Sequence, residues 1–553
     1  MIAFSVVIPT YNRSRQMLQA LESLRAQTQP AANFEVVVVV DGSTDDTLLL
    51  LEEYATPYAL RVIQQKNAGA SAARNRGVAE AQGEIILLID DDIVLTSDVV
   101  SEHLQAHQSQ RDIVGVGQLV LEPRSDAGWF AQGIVRSWER HYRELNEGRR
   151  PPGWRDCYGG NLSVRRDRYL AVGGFPEDIR RTNDIAFALR LVEQGSEVVY
   201  LQAAVAHHHE DKTDRQLLRD ATAIGRDSAV LALRHSWALP GLLGRFTTIS
   251  ARATMARRVL LNTGLPPALL SAFGPLFELV GWADLWATFV FQYAFWFGVR
   301  DVLINQNDEL WRQLTHGTAI LMYHGFSSAP ASRTRYVVSS RNLDCQLTWL
   351  RRFGFCFISL SQYVESVTRG VPPPARSLIV TIDDGYEDIL SCAEPILRRH
   401  GAPATVFLPT AHVGGCNCWD AASELTGRAL LSWEQVARLE RESILEFGTH
   451  TRTHASLRQI DAADVEQEIR GSLQELTTRL VTAVPVLAYP YGHYGPETRS
   501  IANRSGLLAA CTVEAGLNEL ATPLHALKRI EVRGTTSWLS LIVAVWLGVD
   551  CQK

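Results

Sequence analysis

The chain has 553 residues, of which 54 are lysine or arginine and 60 are aspartate or glutamate, for a net charge of -6. This length exceeds one ordinary domain and is sufficient for two or three units with cores of their own. The slightly acidic balance gives no global attraction for polyanions, so we expect no nucleic-acid partner.

The N-terminal part alternates short apolar runs with amphipathic stretches. Apolar runs bounded by turn residues predict buried strands of a mostly parallel sheet, and the stretches between them predict helices packed on that sheet. In such an α/β fold, ligands bind beyond the carboxyl ends of the strands. Strands are predicted at Phe4–Ile8, Phe34–Val40, Arg61–Gln64 and Ile85–Ile89, and helices at Arg15–Ala26 and Asp46–Glu53.

Acidic residues follow two of these predicted strands. Asp41 follows the second strand, where its carboxylate can accept hydrogen bonds from a base or a ribose. Asp90 and Asp92 flank Asp91 after the fourth strand, with a spacing that suits one divalent cation held against phosphate oxygens. Hard oxygen ligands favour Mg²⁺ or Mn²⁺. Three adjacent aspartates taken alone are more often a solvated turn, and it is their context that favours a site.

The context is an ordered set of four segments: Val7–Asn12 (VIPTYN), Val40–Asp45 (VDGSTD), Asn67–Gly77 (NAGASAARNRG) and Leu88–Asp92 (LIDDD). In this order they resemble the family 2 inverting glycosyltransferases with a GT-A fold, over about residues 1–235. The resemblance implies sugar transfer from a nucleotide-sugar donor. It also implies that Asp41 contacts uracil or ribose, and that Asp90 and Asp92 hold Mg²⁺ or Mn²⁺ at the donor phosphates.

The same resemblance assigns residues to the acceptor side. The family's Gly-Gly-Asn segment appears with Gly160 and Asn161 as its last two members, which implies that both line the acceptor site. Asp184 stands at the position of the general base, while Asn183 replaces the usual Glu before it. The alternative left open is that Asp184 only begins the helix that follows.

Two further segments bear on the same domain. His207–His209 follows a predicted strand and is interpreted either as a phosphate or metal contact or as a solvated cluster. Processive members of the family carry a Gln-x-x-Arg-Trp element, whereas residues 216–220 read Gln-Leu-Leu-Arg-Asp, which disfavours a long-chain synthase.

Residues 236–315 are predicted to form a helical connector. Within it, residues 279–299 have the length of a spanning helix but carry Asp284 near their start. A buried helix or one lying on a membrane surface is favoured over a span, which leaves peripheral membrane contact through 279–299 open.

The location of the protein is predicted from its N-terminus and its thiols. The first residues read as a strand without a basic leader, so export by a signal peptide is not expected. The eight cysteines follow no recognisable pairing scheme, which suits a reducing compartment. We therefore expect a cytoplasmic protein, with peripheral attachment to the inner face of the membrane as the variant left open.

A second alternation of strands and helices occupies residues 316–553 and predicts a barrel or a distorted (β/α) barrel. Its strands are predicted at Thr318–Tyr323, Ser377–Ile382, Ala404–Leu408, Ile444–Phe447 and Val486–Tyr489.

Paired aspartates and spaced histidines mark the chemistry of this second part. Asp383 and Asp384 follow one strand, and His450 and His454 follow another with a four-residue spacing that would bring them onto one face if the segment is helical. Two imidazoles and one carboxylate make a three-ligand metal site with open positions, and the second aspartate is left to take a proton from water. A His-x-x-x-His spacing alone is usually incidental.

Four segments carry the resemblance of this part: Tyr323–Gly325 (YHG), Thr381–Gly385 (TIDDG), Phe447–His454 (FGTHTRTH) and Tyr489–Gly492 (YPYG). They resemble the polysaccharide deacetylases, the family 4 carbohydrate esterases that include chitooligosaccharide deacetylases, over about residues 316–535. The resemblance implies that Asp383 is the general base. It implies that Asp384, His450 and His454 bind a metal, most often zinc in that family, with another divalent ion as the alternative.

Further residues carry over from the same resemblance. His324 matches the residue that protonates the leaving amine, with a buried, hydrogen-bonded histidine as the alternative. Pro490 and Tyr491 match the loop that shapes the sugar groove. Arg529 either orients Asp383 or forms a surface salt bridge.

Together, the two resemblances predict a bifunctional enzyme acting on amino-sugar glycans. Its substrates would be a nucleotide-sugar donor and an oligosaccharide or lipid-linked glycan acceptor. Two alternatives stay open: one domain is active while the other is a glycan-binding scaffold, or the chain is a membrane-docked assembly protein.

Overall fold

The computed structural model describes residues 4–246, 250–329, 335–420 and 423–551. The chain divides into two compact units, the first made of Met1–Leu231 and Thr263–Val302 and the second of Ala232–Asn262 and Leu303–Lys553. The described part of the predicted connector is largely helical, and its residues are shared between the two units.

The strands of the chain are β1 Phe4–Thr10, β2 Phe34–Asp41, β3 Ala59–Gln65, β4 Ile85–Leu88, β5 Ile93–Leu95, β6 Ile113–Pro123, β7 Leu162–Arg165, β8 Glu197–Glu210, β9 Ala319–Tyr323, β10 Gly325–Ser327, β11 Val337–Ser339, β12 Cys356–Phe357, β13 Ser377–Ile382, β14 Ala404–Leu408, β15 Leu445–Thr449, β16 Val486–Ala488, β17 Ala509–Cys511 and β18 Ile530–Glu531.

The α-helices are α1 Ser14–Arg25, α2 Thr47–Glu53, α3 Ala70–Glu80, α4 Val99–Ser109, α5 Trp129–Asn146, α6 Arg166–Ala171, α7 Asn183–Glu193, α8 Asp214–Arg234, α9 Leu239–Leu243, α10 Ala251–Thr263, α11 Pro267–Ser271, α12 Gly274–Leu279, α13 Ala283–Gln306, α14 Asp308–His316, α15 Ser340–Arg352, α16 Leu360–Thr368, α17 Glu394–Arg399, α18 Trp433–Glu442, α19 Ala462–Arg479, α20 Pro496–Arg504 and α21 Trp538–Leu547.

The first unit is built on a mixed sheet in the order β3-β2-β1-β4-β7-β6-β8-β5. Strands β1 to β4 run parallel, and β7 joins β4 in the antiparallel sense. Every residue of β1 and β2 is buried, as expected for a sheet covered on both faces. The predicted α/β fold of this unit is confirmed, and both acidic segments follow the carboxyl ends of parallel strands.

The second unit is built on a curled sheet in the order β17-β16-β15-β14-β13-β9-β18, with β12 added beside β13. All of these pairings are parallel. The carboxyl ends of β9, β13, β15 and β16 therefore meet at one edge of the sheet. This is the arrangement predicted as a distorted barrel, and the α/β fold of this unit is confirmed.

Residues 279–299 fall on the end of α12, a short turn and most of α13. Tyr293 and Trp296 of α13 are buried, whereas Leu285 near its start is 72% exposed. Among the described residues, no helix combines the length and the apolar character needed to cross a membrane.

We predict that the two units unfold in separate transitions. Phe187 is fully buried in the first unit and its ring stacks on Phe175 with centroids 4.5 Å apart, and Leu347 is fully buried in the second. Phe187→Ala should lower the free energy of unfolding of the first unit by about 3–5 kcal/mol, because it leaves a cavity. Leu347→Ala should lower the free energy of unfolding of the second unit by about 2–5 kcal/mol for the same reason. Denaturant unfolding followed by each domain's activity measures both changes, and a single shared transition would contradict the prediction.

Candidate active sites

Asp41 ends β2 and is almost fully buried. Its Oδ1 accepts hydrogen bonds from Gln65 Nε2 and the Ala68 backbone, both at 2.8 Å, and its Oδ2 accepts one from the Gly69 backbone at 2.8 Å. A carboxylate has about four acceptor positions, so Asp41 is held in place and still has capacity for a ligand.

The acidic segment after β4 is held by two arginines. Arg74, buried on α3, donates a short hydrogen bond to Asp90, and Arg13 donates to Asp91 at 3.1 Å and, by a short bond, to Asp92. Burial raises the pKa of Asp91 to about 6. The three carboxylates are thus fixed in place, and Asp90 remains the most exposed of the three.

His208 of β8 lies beside Asp92, with its Nε2 atom 3.5 Å from Asp92 Oδ1. Burial disfavours the charged form of each group, but their mutual attraction outweighs it, so the pKa of Asp92 is lowered and that of His208 is raised. Asp92 Oδ1 is a buried oxygen without a hydrogen-bond partner among the described residues. A carboxylate oxygen without a hydrogen-bond partner, next to an imidazole, suits a divalent cation. His207 and His209, the other two histidines of the cluster, form ion pairs with Glu122 instead.

Asp184 lies in the first turn of α7, close to the acidic segment. Its Oδ1 accepts a hydrogen bond from the Ile185 backbone at 2.8 Å, and its Oδ2 accepts one from the Gly159 backbone at 3.3 Å. Burial raises its pKa to about 6, and the charge of Arg74 partly offsets that rise. The carboxyl therefore titrates close to neutrality, which suits a group that takes up a proton.

The Gly160–Asn161 segment is positioned next to Asp90, but its two residues differ in what they present. A side chain at Gly160 would meet Asp90 Oδ2 at 3.6 Å, so this glycine leaves the carboxylate accessible. The Asn161 side chain points into the interior, where it donates to the Ala204 carbonyl at 2.9 Å and contacts His103 Nε2 at 2.9 Å. The structure thus corrects the predicted acceptor contact of Asn161: its amide anchors the segment from below.

In the second unit, Asp384, His450 and His454 form the cluster that the sequence predicts. The Nε2 atoms of His450 and His454 lie 3.7 and 3.4 Å from Asp384 Oδ1, and all three residues are buried. Ligands about 2.0–2.2 Å from one ion are separated by distances of this size. Asp384 Oδ1 has no hydrogen-bond partner in the described parts of the chain, so the donor set fits a metal ion.

The histidines come together on a loop and not on the helical turn that their spacing left as one way to bring them together. Thr451 and His454 have φ of 61°, a left-handed conformation that breaks any helix after β15. His450 Nδ1 contacts the Ala488 carbonyl at 2.7 Å, which directs its Nε2 toward Asp384. Burial lowers the pKa of His450 to about 4, so its imidazole is neutral and available as a ligand.

Asp384 is positioned by residues that sequence reasoning did not identify. It follows β13 with φ of 71°, and its Oδ2 accepts a hydrogen bond from the Tyr386 hydroxyl at 2.9 Å. Asn417 donates to that hydroxyl at 2.7 Å. This chain of hydrogen bonds occupies one carboxylate oxygen and leaves the other facing the histidines.

Asp383 is paired with Arg529 in the interior. The Arg529 guanidinium donates to both carboxylate oxygens at 2.7 and 2.8 Å, and the arginine is 1% exposed. Burial opposes ionisation of Asp383, but Arg529 outweighs it and lowers the pKa of the carboxyl. Of the two interpretations of Arg529, the structure supports contact with Asp383 and excludes a salt bridge on the surface.

His324 follows β9 and faces the same aspartate. Its Nε2 atom lies 4.0 Å from Asp383 Oδ2, and its Nδ1 atom is buried without a hydrogen-bond partner in the described ranges. The ring of Tyr336 lies 5.0 Å from the imidazole. The histidine therefore lines the site, and its Nδ1 atom forms no hydrogen bond with the described part of the interior.

A cleft of about 340 Å³ opens over these residues. Tyr491, 44% exposed, and Trp419 both lie 4.8 Å from the His454 ring, while Pro490 is buried behind Tyr491. Aromatic faces beside polar groups suit the apolar and hydroxyl-bearing faces of a sugar. Trp419 gave no sequence signal, since a single tryptophan in a loop is not a motif.

Two family models match the chain. Glycosyl transferase family 2 matches residues 5–171, and Polysaccharide deacetylase matches residues 370–510. The two matches fall in different units and include the acidic segment of the first site and the aspartates and histidines of the second.

Three curated relatives illustrate the similarity. The poly(ribitol-phosphate) β-N-acetylglucosaminyltransferase TarS of Staphylococcus aureus is 36% identical over 104 residues, 18% of each chain. The glucosyl-dolichyl phosphate glucuronosyltransferase of Haloferax volcanii is 26% identical over 224 residues, 37% of this chain and 68% of the relative. The poly-β-1,6-N-acetyl-D-glucosamine N-deacetylase of Staphylococcus aureus is 25% identical over 197 residues, 34% of this chain and 65% of the relative.

The two transferase relatives align over 18% and 37% of the chain, the deacetylase relative aligns over 34%, and the chain spans only 18% of the length of TarS. Each family therefore accounts for one part of the molecule. The chain joins a glycosyl transferase family 2 domain to a polysaccharide deacetylase domain, and both are enzyme domains.

Proposed function

We propose that the chain is a bifunctional enzyme of glycan biosynthesis. Its first domain would transfer a sugar from a nucleotide-sugar donor to a glycan acceptor, and its second would remove N-acetyl groups from an amino-sugar glycan. The buried Asp384–His450–His454 cluster with its paired Asp383–Arg529 carries the proposal for the second domain. Relatives named for transfer of N-acetylglucosamine and for removal of its acetyl group support an amino sugar.

In the proposed transfer, Asp41 binds the nucleoside of the donor, and Asp90 and Asp92 face its diphosphate. Mg²⁺ or Mn²⁺, held by these two carboxylates with His208 beside them, would supply positive charge for the leaving diphosphate. Asp184 takes the proton from the acceptor hydroxyl as that oxygen attacks the anomeric carbon, which inverts its configuration. Gly160 leaves room for the acceptor next to Asp90.

In the proposed deacetylation, a water molecule attacks the acetyl carbonyl carbon. Zn²⁺ or another divalent ion, held by Asp384, His450 and His454, would supply a Lewis acid at that carbonyl. Asp383 takes a proton from the water, and His324 gives a proton to the departing nitrogen. The products are acetate and a free amine, so atoms and charges balance.

The acceptor is proposed to be an oligosaccharide or a lipid-linked glycan. A relative named for action on a glucosyl-dolichyl phosphate supports the second class. Because nucleotide sugars are cytoplasmic metabolites, the transfer is proposed to take place in the cytoplasm, with the apolar start of α13 available for contact with the inner face of a membrane.

Asp383→Asn and His450→Ala are expected to lower acetate release from N-acetylglucosamine oligomers by about 10²–10⁴-fold, because each removes a group that handles a proton or holds the ion. Removal of metal with a chelator should abolish release, and added Zn²⁺ should restore it. His400→Ala, which changes a histidine paired with Asp344 outside the cleft, serves as the control and should retain wild-type rates. Full activity of Asp383→Asn would contradict the proposed base.

Asp184→Asn is expected to lower sugar transfer by about 10²–10⁴-fold and to leave the affinity for a nucleoside diphosphate unchanged. The base has to be ionised, and burial raises its pKa to about 6, so wild-type transfer should decline as the pH falls through about 6. Asp167→Asn changes an exposed acid on α6 and should behave as wild type. Rates would be measured against pH, and a variant as active as the wild type would refute the assignment.

The Asp383–Arg529 pair predicts different results for two substitutions. Arg529→Met strands a buried carboxylate and should lower the stability of the second unit by about 3–5 kcal/mol. Arg529→Lys keeps the charge but loses the two-point contact, so it should fold and show a reduced kcat with a KM near that of the wild type. Denaturant unfolding and steady-state acetate release measure both effects, and wild-type stability of Arg529→Met would disprove the role of the pair.

A further inference from the structure

The first unit contains an apolar groove that the proposed chemistry does not use. It has a volume of about 370 Å³ and lies between α5, α8 and α13. Its walls include Ile134, Leu217, Ile224 and Phe291. Pockets of this size and character are typical of sites for small molecules with a large apolar part.

The groove is a built feature of the helix packing. At one point α5 and α13 approach so closely that a side chain at Gly133 would meet the Ala287 Cβ at 2.4 Å. The helices are therefore in tight contact beside the groove, and the open space next to it is not the result of loose packing.

Polar residues also line the groove, and one of them adjoins the transferase site. Tyr158 lines the groove, and the next residue, Gly159, donates its backbone hydrogen bond to Asp184 at 3.3 Å. Glu210, at the end of β8, lines it as well and follows His208 by two residues. The groove thus extends to the residue next to the one that contacts Asp184.

The polar groups of the lining suit a sugar. The Lys212 ammonium lies 3.4 Å from Glu210 and 3.5 Å from Asp220, so these groups offer both hydrogen-bond donors and acceptors. The rings of Tyr158 and Trp138 have centroids 4.5 Å apart and present an aromatic surface beside them. Hydroxyl groups and ring C–H groups of a sugar match these two kinds of surface.

Apolar side chains extend from the groove to solvent. Leu285 is 72% exposed and lies one helical turn before Thr288, which lines the groove. The segment before it adds further exposed apolar residues, namely Phe273, Leu276, Leu279, Val280 and Trp282. Several large exposed apolar residues within one short segment suit contact with another apolar phase.

We propose that this groove binds the hydrocarbon chain of a glycolipid acceptor, with the sugar beside Tyr158 and toward Asp184. This proposal rests on the proposed transferase function and deepens it, since it assigns the acceptor to the glycolipid class. The chain leaves the groove near Thr288, where the exposed apolar residues contact the lipid surface that supplies the acceptor.

The test compares two N-acetylglucosamine glycosides, one with a dodecyl chain and one with a methyl group, in calorimetric binding to the full-length protein below the micelle concentration. Burial of a few methylene groups should make the dodecyl glycoside bind about a hundredfold more tightly. Thr288→Trp fills the mouth of the groove and should remove most of this advantage. Gln132→Trp adds the same ring to an exposed position on α5 and should retain it.

Equal affinity for the two glycosides in the wild type, or an undiminished advantage in Thr288→Trp, would overturn the proposal. Ile134→Glu, which places a charge in the apolar wall, provides a second variant if Thr288→Trp does not fold. Binding requires no turnover, so chain-dependent binding without sugar transfer to either glycoside would count against the transferase function while supporting the groove. A loss of chain-dependent transfer in Thr288→Trp, with transfer to the methyl glycoside intact, supports both.

Discussion

Both sites depend on carboxylates that the fold buries wholly or in part and pairs with arginine side chains. Asp383 is held by the two-point contact of Arg529, and Asp90 and Asp92 are held by Arg74 and Arg13. An unpaired buried carboxylate would be strongly destabilising, and a well-paired one is fixed in position. The guanidinium groups therefore hold the acids at the ends of the strands, where the rest of each site is assembled around them.

The second site separates two adjacent aspartates by giving them different partners. Asp383 accepts hydrogen bonds from the Arg529 guanidinium on both carboxylate oxygens. Asp384 accepts one from the Tyr386 hydroxyl on one oxygen, and its other oxygen faces the two imidazoles. Asp384 has a left-handed φ of 71°. Such backbone conformations are unfavourable by about 1–3 kcal/mol each, and the buried parallel strands on either side maintain them.

The sequence predicted part of the strands and the candidate ligands because both are local patterns. An apolar run followed by Asp-Asp-Gly is a pattern of only a few residues. Because the strands are parallel, the carboxyl ends of β13 and β15 then lie at the same edge of the sheet. What it left open or missed depends on distant pairs. The contact of Arg529 with Asp383 spans 146 positions and was one of two interpretations, and the contact of Asn417 with Tyr386, across 31 positions, was not predicted. The inward turn of Asn161 was missed for the same reason, since His103 lies far away in the sequence.

Charge balance in the first site gives a physical reason for a divalent cation there. Asp90, Asp91, Asp92 and Asp184 stand against Arg13, Arg74 and a histidine whose pKa is raised, so the site has no excess positive charge. A bound nucleoside diphosphate would add further negative charge directly beside Asp90 and Asp92. A hard cation between the carboxylates and the phosphates would relieve this repulsion, and Asp92 Oδ1, a buried oxygen without a hydrogen-bond partner among the described residues, would be available to it. This charge balance is the physical reason for which we propose a metal ion at the first site.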